Sequence, residues 1–146
     1  MKKLSPSIIN EIAQSLDCGL VCFLNPDTLE LVEIPTDVLE GTFDDEDSLK
    51  EIQRIEYEWK KIIRINPLES GESFEIMKRF VEEIVNNLHL KSKLQNILEG
   101  KKPFRNFKNA TDGSDYRQAW FDFKQQCLEE YVTDYLQNPD PEPSRF

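Results

Sequence analysis

From Ser70 onward, apolar residues recur every third or fourth position, so much of the core has to be built from helix faces. Phe74, Met77, Phe80, Val81, Ile84 and Leu88 carry the pattern. Leu90, Leu94, Ile97 and Leu98 continue it to Gly100, a stop signal. The break near Asn86-Asn87 predicts two helices here. Pro103 to Asn109 reads as a short helical turn or loop, and Thr111-Asp112-Gly113-Ser114-Asp115 as the start of the longest helix. Tyr116, Ala119, Trp120, Phe123, Cys127, Tyr131 and Tyr135 form its apolar stripe. A tryptophan on such a stripe reads as core.

The N-terminal part follows a different rule. Ser5-Pro6 ahead of Ile8, Ile9, Ile12, Ala13 and Leu16 predicts a capped helix. Leu20 to Leu24 and Leu29 to Ile34 predict two strands joined through Asn25-Pro26-Asp27-Thr28, with Pro26 pre-set for a turn. Pro35 ends the second strand. Ile62 to Ile65, bounded by Asn66-Pro67, predicts a third strand that extends the hairpin. The fold class that results is α+β, a small antiparallel sheet packed with a mainly helical C-terminal half. At 146 residues the chain suits a single domain over 1–137, followed by a proline-rich, mobile tail over 138–146.

Charge narrows the functions. With 28 acidic against 18 basic side chains the formal net charge is −10, which repels phosphate backbones and anionic lipid at long range. Glu40, Asp44, Asp45, Glu46 and Asp47 crowd one stretch, without the alternating carboxylates and central glycine of a calcium loop. They suit a solvated loop leading into a helix through Leu49, Ile52 and Ile55. Cys18, Cys22 and Cys127 are an odd number with no CxxC spacing, and His89 is the only histidine, so neither a disulfide framework nor a zinc site is expected. No metal or cofactor is called for. The polar residues after Met1-Lys2-Lys3-Leu4 predict neither a signal peptide nor a membrane span, and the expected location is the cytoplasm.

One segment reverses the charge. Gly100-Lys101-Lys102-Pro103-Phe104-Arg105-Asn106-Phe107-Lys108 has four basic residues and two phenylalanines. Phe104 with Phe107, and Arg105 with Lys108, are each three apart and share a face on a helical turn. On the structural reading the rings anchor a connection and the cations offset acidic helices or cap a helix end. On the functional reading Lys101, Phe104, Arg105, Phe107 and Lys108 form an anion or partner site, with Arg105 gripping a carboxylate or phosphate in two-point fashion and Lys108 adding a point charge.

Phe74, Met77 and Phe80, then Leu94, Gly100-Lys101, Phe104-Arg105, Phe107-Lys108, and Trp120 with Phe123, together resemble the bacterial uncharacterised protein family zero-one-five-eight. The resemblance spans Trp59 to Tyr135, with a weaker echo in the hairpin. It implies an α+β domain with a helical C-terminal half and brings no activity with it. Pro103 and Asn106 depart from the pattern, which more often has a small residue and a further basic residue at those positions, and these departures count against phosphate binding by this chain.

Three functions compete. The first is a non-catalytic interaction or regulatory domain that uses the basic, aromatic patch to hold a protein partner or a second copy of itself. The second is weak binding of single-stranded nucleic acid or a phosphate ligand by the same patch, which the charge balance opposes. The third is an enzyme. No carboxylate pair is singled out by spacing, no phosphate or dinucleotide loop is present, and His89, on the connection Leu88-His89-Leu90, reads as an ordinary surface histidine.

Overall fold

In the computed structural model, which describes residues 4–139, the chain forms two compact units. Leu68–Cys127 makes one; the residues up to Pro67 and from Leu128 onward make the other. Together they give the α+β class expected from the sequence: an antiparallel three-stranded sheet, with the later helices filling the C-terminal half.

The sheet belongs to the discontinuous unit. Helix α1, Pro6–Asp17, begins where Ser5 Oγ accepts the Ile8 N–H, and it buries Ile12, Ala13 and Leu16. Gly19, at φ +81°, turns the chain into β1, Leu20–Leu24. The second strand, β2, is Leu31–Pro35 and starts two residues later than the apolar run suggested. The reason lies in the turn. Asn25 Oδ1 accepts the N–H groups of Asp27 and Thr28 at 2.9 and 3.2 Å, and Leu29 is held at φ +64°, outside strand geometry.

β3, Ile63–Ile65, pairs with the other side of β1, giving the order β2-β1-β3. As the middle strand, β1 is buried on both faces. Val21 and Phe23 join Val32, Ile34, Val38, Ile55, Trp59 and Ile62 in one cluster. Trp59 and Ile55 come from the helix region predicted through Ile55: α3, Glu46–Glu58, preceded by a short unexpected helix α2, Thr36–Leu39. Asp45 is the residue before α3, and Glu46 and Asp47 occupy its first turn, where carboxylates favour the helix dipole. The acidic stretch is thus a loop and a helix start. Among the described residues no three His, Cys, Asp or Glu side chains come together as a metal site. Of the expected apolar stripe, Leu49 is 43% exposed, whereas Ile55 is buried and Ile52 packs partly buried against the same cluster.

Cys22 lies on the opposite sheet face, across from Glu33 on β2. Ser15 Oγ of α1 donates to Glu33 Oε2 at 2.5 Å. Burial, with the Glu33 charge as a smaller contribution, pushes the Cys22 thiol up to about 12. The thiol therefore stays protonated in the fold where an unfolded cysteine ionises. The native state holds the extra proton between pH 9 and 12, so Cys22 lowers stability as pH rises through that window, by at most about 1.4 kcal/mol per pH unit. In denaturant titrations from pH 8 to 11, a Cys22→Ala variant is expected to lose less stability on alkalinisation than the parent; parallel losses would contradict the shift.

The third strand is also held by the end of the longest helix. Tyr135 Oη donates to the Arg64 carbonyl at 2.7 Å and Tyr131 Oη to the Asn66 carbonyl at 3.4 Å.

The second unit is helical. α4, Ser70–Glu83, and α5, Leu88–Glu99, are the two helices expected on either side of Asn86-Asn87. The Tyr116 hydroxyl accepts the N–H groups of both asparagines. α6 spans Pro103–Asp112, a full helix where a short turn or loop was expected. Pro103 suits its first turn, and Thr111 Oγ1 folds back on the Phe107 carbonyl at 2.8 Å. α7 starts at Arg117 rather than at the preceding Thr-Asp-Gly-Ser-Asp run, which ends α6 instead, and continues to Gln137. Phe80, fully buried, meets Tyr116, Trp120 and Phe123 at ring distances of 6.5, 5.2 and 5.6 Å. Beyond Cys127 the buried positions of α7 are Leu128, Val132 and Leu136, with the tyrosines at their margin. The expected proline-rich tail falls mainly on residues 140–146, outside those described.

Candidate functional site

The charge-reversed segment is the α5–α6 connection and the first turns of α6. α5 starts where Asn87 Oδ1 accepts the Leu90 N–H at 3.0 Å. His89 therefore sits in the first turn of α5, exposed, and not on a connection between helices. At the other end, Lys102 occupies the cap position of α6 at φ +50°, a left-handed conformation that costs a non-glycine residue of the order of 1 kcal/mol or more. Asn106 Nδ2 donates to the Lys101 carbonyl at 3.0 Å and secures the connection from the α6 side.

The five residues singled out by sequence do not share one environment. Phe107 is 1% exposed and meets Trp120 edge to face at 5.0 Å, so it anchors α6 and offers no surface. Phe104, three residues earlier, is 44% exposed and touches Phe74 at a ring distance of 6.4 Å. Lys101, Arg105 and Lys108 are exposed. Among the described residues none of these three forms an ion pair, whereas Arg54 is bound to Glu30 and Glu51, and Arg79 to Glu83. The positive end of the α6 dipole adds to the local charge at Lys101 and Lys102.

Sequence reasoning missed what lies across the connection. His89, Ser92, Lys93 and Asn96 are spaced three and four apart, and together with Lys101 and Asn106 they line an open groove of about 500 Å³. The signal was available as a polar face of α5 at helical spacing opposite the buried Leu94 and Leu98.

The model of the uncharacterised protein family UPF0158 matches residues 5–144. The chain belongs to that family. UPF0158 protein PA5073 of Pseudomonas aeruginosa is 30% identical over 91 residues, which is 62% of this chain and 59% of that protein. The UPF0158 match covers the sheet and the helical unit alike and bears out the resemblance carried by the Phe-Arg-x-Phe-Lys element. No solved structure matches the chain. The family name carries no activity.

Proposed function

We propose that this UPF0158 chain is a non-catalytic, cytoplasmic binding domain that holds an acidic segment of a partner protein against α6. The observation that supports this reading is the set of exposed cations, Lys101, Arg105 and Lys108, which form no ion pair among the described residues of a chain with net charge −10. Phe104, half exposed beside them, adds apolar contact at the edge of the charge. Distant carboxylates on this chain weigh little, because salt screens them beyond about 8 Å, while cations in contact with the partner are screened less. A nucleic acid is disfavoured, since its phosphates continue past a patch this small onto acidic surface. No disulfide joins Cys18, Cys22 and Cys127, as suits a reducing compartment, and burial holds the Cys22 thiol protonated at neutral pH.

The test is affinity capture with the wild type and an Arg105→Glu, Lys108→Glu variant of equal thermal stability, followed by titration of the captured, purified protein. A partner with an acidic binding segment is expected to lose at least about tenfold in affinity to the variant, the scale for reversing contact charges. Capture of the same proteins at unchanged affinity would remove α6 as the binding face.

A further inference from the structure

The groove between α5 and the α5–α6 connection is lined by cationic and neutral polar groups, with Ile97 and Gly100 between them. Lys93 and Lys101 line it together with His89, and among the described residues no carboxylate does, in a chain with 28 Asp and Glu among 146 residues. Ser92, Asn96 and Asn106 supply neutral hydrogen-bonding groups between the cations. Ile97 and Gly100 supply the rest of the lining. Lys93 and Lys101 are like charges lining one groove, and a bound anion offsets their repulsion. The backbone strain at Lys102 lies next to Lys101, and the Asn106 bond to the Lys101 carbonyl fixes the same turn, so the connection is held in one shape.

We propose that this groove binds a small phosphomonoester, with the phosphate between Lys93 and Lys101 and oxygens satisfied by Ser92, Asn96 and Asn106. The dianion matches two cations with a third group, His89, at the margin. A volume of about 500 Å³ exceeds what a phosphate needs and leaves room for a small organic residue. Asparagine at position 106 is no obstacle, because Lys93 on α5 supplies the second charge. The groove shares Lys101 with the α6 face, but Arg105, Lys108 and Phe104 do not line it.

The test is amide chemical-shift titration of the full chain with inorganic phosphate, then with free phosphoserine, at constant ionic strength set by chloride. Saturable shifts are expected at positions 89–101 and 106 with both probes. A Lys93→Glu, Lys101→Glu variant should weaken phosphate at least about tenfold. A Lys78→Glu variant, which changes net charge on exposed α4, should stay within about twofold, in keeping with screening at a distance. Unsaturable or evenly scattered shifts in the wild type, or double-variant affinity within about twofold of wild type, would overturn the site. Both variants are at exposed positions, and a retained spectrum establishes that they fold. Failure of phosphate to bind the wild type would leave the α6 reading to its own test, the Arg105→Glu, Lys108→Glu variant, whose residues do not line the groove.

Discussion

Replacing Trp120 with alanine is expected to cost about 3–5 kcal/mol of unfolding free energy, the range for emptying a buried aromatic site. Trp120 is 8% exposed and lies between two buried rings, Phe80 at 5.2 Å and Phe107 at 5.0 Å, both edge to face. Alanine removes the indole and leaves those two rings without a partner on one side. Since domains are stable by only about 5–15 kcal/mol, the variant loses a large fraction of that margin. Urea unfolding followed by circular dichroism measures it. A loss below about 1 kcal/mol, typical of surface changes, would place Trp120 outside the core.

A second large effect separates two residues that sequence alone treats alike. Phe107→Ala is expected to cost about 3–5 kcal/mol, whereas Phe104→Ala should stay near or below about 1 kcal/mol. Phe107 is 1% exposed against Trp120; Phe104 is 44% exposed and meets Phe74 at a ring distance of 6.4 Å. Because Phe107 and Trp120 touch, the double variant should lose less than the sum of the single losses. Equal costs at 104 and 107 would mean that α6 is rotated about its axis from the orientation described.

The pair shows where reading the sequence succeeds and stops. Spacing of three and four places Phe80, Leu94 and Trp120 in the core, because one helix face has to be buried whatever it meets. Spacing places Phe104 and Phe107 on one side of a turn but not at which depth, since depth is set by Trp120, a residue of another helix. Leu29 shows a local failure: its apolar side chain suits a strand, yet the Asn25 amide closes a turn that holds it at positive φ. The second half of α7 shows a change of partner. The stripe through Tyr131 and Tyr135 is right as far as the hydroxyls that reach β3, but Leu128, Val132 and Leu136 take the buried places. At the groove, His89, Ser92, Lys93 and Asn96 were legible as a polar face. What brings Lys101 and Asn106 opposite them is the left-handed turn at Lys102, which no residue type announces.

The tyrosine contacts on β3 set an order of events during synthesis. Arg64 and Tyr135 are 71 positions apart, and the whole helical unit, Leu68–Cys127, is made between them. That unit is continuous in sequence and dominated by local helix contacts, which form quickly. The outer edge of β3 has to wait until the ribosome has released the last turns of α7, and then closes a long loop at an entropic cost that grows slowly with length. Until that moment the emerging chain displays an unpaired strand edge, the feature by which nascent sheets find wrong partners. A late arrival at the C-terminal end of the helix therefore ties down a strand made much earlier in the chain.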